Sequence, residues 1–141
     1  MSKQDMSLVI GMSRVLGHIN LSSSRLLDPY GLTLGQFAVL EALYSKGPLS
    51  VGQVQRKILT SSGTIPVILT NLENEALIIR TRDQEDKRRV TLDLTDKGRT
   101  LISEVFELNR QLIEEKVSCW TKEERTTLLR LLKKFGDHYE L

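Results

Sequence analysis

Cysteine is nearly absent from this chain: Cys119 stands alone among 141 residues, so no intrachain disulfide framework can staple the fold. Histidine is almost as scarce. With only His18 and His138 beside that thiol, no group of side chains has metal-ligand spacing, and neither structural zinc nor a metal cofactor is expected. No stretch approaches the roughly 20 apolar residues of a membrane span, and Asp5 precedes any apolar run, unlike a signal peptide. These absences lead to the expectation of a soluble, cytoplasmic protein with no membrane partner. Also missing are a nucleophile with a base at usable spacing, a glycine-rich phosphate loop and a paired carboxylate cleft. The sequence therefore does not read as an enzyme, and nothing in it requires a cofactor.

What is present is enough apolar residue, 40%, for one compact unit with its own core. The formal charge of +2 is too small to argue for nucleic acid by itself, but its distribution is uneven. Residues 46–99 hold ten Lys+Arg against seven Asp+Glu, a balance of +3, and the remainder hold ten against eleven, a balance of −1. Five of the basic residues fall between Arg80 and Arg89.

Helix starts are legible because Ser or Thr followed three residues later by Gln or Glu can satisfy two orphan backbone donors reciprocally. Thr33 with Gln36, Ser50 with Gln53 and Thr121 with Glu124 form such boxes, and Thr95 is a further start. The pattern predicts a first helix from about residue 5 to Leu27, with Leu8, Met12, Val15, Leu16, Ile19 and Leu26 along one side. A second helix follows Thr33, with Phe37, Leu40 and Tyr44 inward, and ends at Lys46-Gly47-Pro48. A short third helix follows Ser50, with Val51, Val54 and Ile58 inward. Thr60-Ser61-Ser62 then supplies a turn and an N-cap, and Ile65, Leu69, Leu72 and Ala76 recur at the spacing of a buried helical stripe about fifteen residues long. Pro66 fits its first turn, where no donor is lost.

After Leu77-Ile78-Ile79 the period changes to two, with Val90, Leu92 and Leu94 alternating with Arg89, Thr91 and Asp93, which predicts a β-hairpin with a charged tip. Two helices, over about 96–117 and 122–139, complete the chain. The fold class is mainly α with a small β-hairpin wing (α+β). Two helices joined by a short turn and followed by a basic hairpin make a winged helix-turn-helix, here flanked by N- and C-terminal dimerisation helices. The division expected is 1–30 for a dimerising helix, 31–99 for a DNA-binding lobe and 100–141 for further dimerisation helices.

With the apolar stripe against the core, Gly63, Val67, Thr70, Asn71 and Asn74 turn outward, flanked by Thr64 and Pro66. Asn71 can offer a donor and an acceptor to adenine, and Val67 suits a thymine methyl. The same surface could instead be an ordinary solvated helix face. The helix after Thr95 is apolar around too much of its circumference for one buried stripe, and together with the first and last helices it suits a self-complementary interface across a two-fold axis. A monomeric helical core closed on itself is the other reading.

Asp86-x-Arg88, then five residues to Leu94-Thr95 and Lys97-Gly98, resembles the wing signature of the MarR regulators. Ser62-Gly63-Thr64 leading to Leu72-Glu73 and Leu77-Ile78 resembles that family's recognition helix and first wing strand, and the flanking helices extend the likeness over the chain. The resemblance implies a homodimeric transcription regulator, usually a repressor, whose winged helices enter successive major grooves of a palindromic double-stranded DNA site. It places Arg88 on the minor-groove arginine and Asp86 on the acidic residue that orients the wing. Lys87, Arg89 and Arg82 are then assigned to phosphates, and Ser61, Ser62, Thr64, Pro66, Val67, Thr70 and Asn71 to the rest of the DNA surface.

The chain departs from the family in having no Lys or Arg between Ile58 and Ile79. The bidentate arginine contact to guanine is missing from the recognition helix, which points to an A·T-rich operator. The family also often binds small aromatic or phenolic ligands between the dimer helices and the DNA-binding lobe; Arg14, His18 and Tyr30 are the candidate ligand residues here. Relatives that sense oxidants use a cysteine in the first helix. Residues 1–30 contain none, so that mechanism does not carry over, and Cys119 reads as a buried or idle thiol. A winged helix serving only as a protein-interaction module is the alternative function.

Overall fold

The computed structural model describes residues 2–58 and 64–141. The chain runs α1 (Lys3–Leu27), a 3₁₀ turn (Asp28–Tyr30), α2 (Leu34–Lys46), β1 (Leu49–Ser50), α3 (Val51–Lys57), α4 (Ile65–Asn74), β2 (Ile78–Arg82), β3 (Val90–Leu94), α5 (Asp96–Val117) and α6 (Lys122–Tyr139). The reciprocal boxes at Thr33, Ser50 and Thr121 are all formed, and Ser2 with Asp5 makes another at the start of α1. Hydrogen bonds from the Thr121 backbone and hydroxyl hold the Glu124 carboxyl below the usual carboxylate range. Thr95 caps α5 by accepting from the Gly98 N–H at 3.0 Å. Among the described residues no helix is long and apolar enough to cross a membrane.

The hairpin expected after Leu77 is present, in the register Ile78↔Leu94 through Arg82↔Val90. It is not alone. Leu49 and Ser50 pair antiparallel with Leu92 and Thr91, giving a three-stranded sheet in the order β1-β3-β2. Two residues are too few to announce a strand by periodicity, and β1 exists only because β3 offers its free edge. Gly47, at φ +80°, turns the chain from α2 into that edge.

α2 lies at the centre, against α1, α3, α4, α5 and β3. Enclosure on several sides explains why its buried set is Gln36, Val39, Leu40, Ala42 and Leu43, while Phe37 is half-buried and Tyr44 is exposed against the ring of Phe106. The inward assignment of Tyr44 is thereby corrected. From α4, Ile65, Ile68, Leu69 and Leu72 enter the core, joined by Leu77, Ile78, Leu92, Leu94, Ile102 and Val105.

Ala76 does not continue the α4 stripe. It sits outside the helix, exposed, in the left-handed region at φ 58°. The Ala76 N–H donates to the Glu73 carbonyl and the Leu77 N–H to the Leu72 carbonyl, both at 2.9 Å, so the helix closes in a Schellman motif whose apolar clasp is Leu72 with Leu77. The helix is therefore ten residues long, not about fifteen. The Thr60-Ser61-Ser62 turn lies outside the described residues, but Pro66 is in the first turn of α4 as expected.

Immediately beyond that clasp, α5 begins against the chain that leaves α4. A Cβ placed on Gly98 would lie 2.0 Å from the Leu77 carbonyl oxygen. Gly98→Ala is expected to cost roughly 2–3 kcal/mol in urea unfolding, because backbone must shift to admit one methyl. Ala76→Gly should instead raise stability by about 1 kcal/mol, since glycine occupies the left-handed region without the Cβ penalty.

Candidate nucleic-acid interface

The exposed side of α4 carries Thr64, Pro66, Val67, Thr70, Asn71 and Asn74. Val67 is 60% exposed, an apolar side chain held out among polar neighbours on a helix whose other side is core. Ser61 and Ser62, assigned to the same surface from sequence, lie outside the described residues. The face offers hydroxyls and amides and no cation, so the positive charge of this region comes from the wing.

The wing tip is organised by its own side chains. The Asp86 carboxylate accepts from the Arg88 backbone N–H at 3.1 Å and from Arg88 Nε at 3.2 Å. The loop is closed by Asp83 N–H to the Arg89 carbonyl at 3.0 Å and Arg89 N–H to the Asp86 carbonyl at 2.9 Å. Arg82 Nη1 donates across the hairpin to the Lys87 carbonyl at 3.2 Å, so its guanidinium helps hold the turn as well as carrying charge. Arg88 remains 93% exposed while it is so oriented. Lys87 and Arg89 are exposed beside it.

Two further contacts anchor α4, one to the wing and one to α5, and sequence reasoning assigned a role to neither. Arg80 of β2 pairs with Glu73 of α4, and Lys97 Nζ donates to the Glu75 carbonyl at 2.8 Å. The second places an ammonium at the negative end of the helix dipole. Lys97 lay within the quoted signature, but no spacing rule says that it reaches back 22 residues.

The ligand candidates are not gathered into one site. Arg14 and His18 line a groove of about 310 Å³ with Lys116, Val117, exposed Cys119 and Trp120, and His18 Nε2 lies 2.9 Å from Lys116 Nζ. Tyr30 lies apart, its hydroxyl donating to Glu104 at 3.3 Å. Partial burial and that carboxylate raise the hydroxyl pKa above the ordinary tyrosine value. A larger cleft of about 760 Å³ opens between α1, α2 and α5, bordered by Ile19, Phe37, Ile58 and Phe106, with Ser23 and Asn109 at its wall. There the buried Ser23 hydroxyl donates to Asn109 Oδ1 at 2.7 Å. No periodicity could have paired residues so far apart in the chain.

Residues 22–105 match the family described as transcriptional regulator SarA/Rot. Over 136 residues the chain is 33% identical to the regulator MhqR of Bacillus subtilis (strain 168), covering 96% of this chain and 94% of that one. The chain is a MarR-type winged-helix transcriptional regulator of the SarA/Rot family. Among solved structures it is similar to Bordetella bronchiseptica BpsR, whose DNA binding is regulated by 6-hydroxynicotinic acid, with a TM-score of 0.80 at 25% identity over 89% of this chain and 90% of that one. It is equally similar in sequence to a cysteine-to-serine mutant of Escherichia coli MarR complexed with operator DNA, with a TM-score of 0.75 at 25% identity over 92% and 96% of the two chains. A protein of this family is a DNA-binding regulator and not an enzyme. α4 is accordingly the second helix of the winged-helix unit and the β2–β3 hairpin its wing.

The Asp86–Arg88 pair is solvent-exposed, so removing it should change global stability by less than about 1 kcal/mol. Asp86→Ala is expected to speed hydrogen exchange at the Arg88 amide while leaving β2 and β3 protected; unchanged exchange at Arg88 would refute the orienting contact.

Proposed function

We propose that this regulator acts as a homodimeric repressor that occupies a palindromic, A·T-rich operator, with residues 31–99 reading DNA and the helices of 1–30 and 100–141 holding the dimer. The observation that carries this reading is the pairing of a cation-free recognition face with an arginine presented at the wing tip. Asn71 and Val67 suit adenine and the thymine methyl in the major groove, and Arg88 suits the enhanced negative potential of a narrow A·T minor groove. Thr64, Pro66 and Thr70 flank those readers. Lys87, Arg89 and Arg82 supply phosphate contacts.

The dimer is supported by α1 and α6. Helix α6 has no buried residue, although Leu129 and Phe135 are apolar and 67% and 59% exposed; on α1, Leu16 is 59% exposed. Apolar surface of that extent on a small chain marks an interface, and a two-fold assembly lets one patch cover its own copy.

The cleft between α1, α2 and α5 is the better candidate for a small aromatic effector, since Phe37 and Phe106 border it and Lys57 and Ile58 at its rim end the helix that precedes α4. BpsR responds to such a molecule. An effector wedged there would alter the distance between the two recognition helices, which is how ligand release of an operator would work.

Arg88→Ala is expected to lose about 1–3 kcal/mol of affinity for the promoter region flanking the protein's own gene, and more of its preference for A·T tracts than of its non-specific binding. Titration at two salt concentrations reads both effects. Absence of any salt-sensitive binding by the wild type would instead favour a protein-interaction module, and selection of G·C-rich half-sites would end the A·T reading. Leu16→Glu with Phe135→Glu should convert the dimer to monomer in sedimentation; an unchanged mass would place the interface elsewhere.

A further inference from the structure

A polar recess of about 390 Å³ lies beside the tip-proximal end of the wing, between α3 and the start of β3. Its polar lining is Ser50, Gln53, Arg56, Arg89 and Thr91, and no carboxylate borders it. The ion pairs among the described residues engage Arg80, Arg88 and Arg110, leaving both Arg56 and Arg89 without an acidic partner there. Both are exposed.

The local structure holds these groups together. Ser50 and Thr91 are direct partners across the β1–β3 pair, so their side chains stand on the same face of the sheet. That face is the outer one, because the neighbouring pair Leu49 and Leu92 is buried. The Ser50 hydroxyl oxygen accepts from the Gln53 N–H at 3.1 Å, which leaves its proton to donate. The Arg56 side chain folds back along α3, with Nη1 3.6 Å from the position a Cβ on Gly52 would take. Arg89 enters from the other side, one residue after the wing-tip Arg88.

We propose that this recess grips a phosphate of the DNA backbone, with Arg56 and Arg89 as the charged jaws and the Ser50 and Thr91 hydroxyls between them. The chemistry is that of charge-assisted hydrogen bonds to a phosphodiester, for which guanidinium geometry is suited. The inference rests on the DNA-binding reading and extends it to α3, for which neither the wing signature nor the recognition helix assigns a contact. Continuity through Arg88–Arg89 favours DNA over a free anion: a duplex that takes Arg88 in its minor groove brings backbone to the adjoining start of β3. A phosphate held there ties the wing to α3 and fixes register without reading sequence.

The test is a set of titrations with the promoter fragment and with a random-sequence duplex, from low to moderate salt, for wild type, Arg56→Gln, Arg89→Gln, the double variant and Arg56→Lys. Circular dichroism verifies folding, and the exposed positions of both arginines predict no change. The double variant should lose affinity for both duplexes by a similar factor, about 3- to 10-fold near 0.1 M salt, and its slope of log affinity against log salt should fall by about 1. Each single variant should show part of that loss, and Arg56→Lys should restore the slope. If wild type binds and the double variant matches it in affinity and slope, the clamp is wrong and the DNA-binding reading stands. If wild type binds neither duplex, that reading falls and the clamp with it. Calorimetric titration with inorganic phosphate separates the remaining source: saturable binding abolished in the double variant, with DNA slopes unchanged, would make the recess a free-anion site and overturn the proposal.

Discussion

The approach of α5 to the Leu77 carbonyl is the constraint on which the placement of α4 and the wing depends. Gly98 admits backbone where any side chain would collide. Around it, the Thr95 hydroxyl donates to the Ala76 carbonyl at 2.6 Å, the Thr95 N–H to the Leu77 carbonyl at 3.1 Å and Lys97 Nζ to the Glu75 carbonyl at 2.8 Å. The carbonyls leaving α4 are thus satisfied by the first turn of the long helix that follows. Helix α4 is short, ten residues or about 15 Å, and a helix of that length has little stability of its own. Its direction is set by this junction and by the four apolar side chains beneath it.

The wing inherits its position from the same place. β2 starts one residue after Leu77 and β3 ends one residue before Thr95, so the hairpin is clamped at its base by the residues that clamp the helix. Glu73 with Arg80 ties the two elements along their length. At the far end the loop orders itself, through Asp86 and the Arg82 reach to the Lys87 carbonyl. Helix α4, the wing and α5 are consequently tied to one another at this junction by close backbone approach and hydrogen bonds.

The large cleft is walled on one side by α5, through Phe106, Asn109, Arg110 and Ile113. Its wall includes the Ser23–Asn109 bond, a buried polar contact between α1 and α5. Buried polar pairs are costly to leave half-satisfied, so this contact specifies how the two helices cross. The same helices expose apolar surface on their outer sides together with α6. Helices α1 and α5 therefore both border the cleft and carry exposed apolar surface.

Much of this was legible in the sequence because the signals are local. Capping boxes involve residues three apart, the hairpin announces itself by period two, and α5 and α6 run over the residues their caps and patterns indicated. Asp86 and Arg88 are near enough for their contact to follow from spacing alone. Other features depended on neighbours distant in the chain. Ala76 fitted a helical stripe by spacing, yet the clasp of Leu72 with Leu77 placed it in a left-handed cap. Tyr44 fitted an inner face, but α2 is enclosed on several sides and turns other residues to the core. β1 required the edge of β3, and the Arg56–Arg89 recess required that strand beside α3. The sequence by itself determined where the elements begin and which chemistry they carry, since backbone capping and side-chain periodicity act over a few residues. Only the tertiary structure decided which side chains share a site, because that depends on packing between elements the chain order does not place side by side.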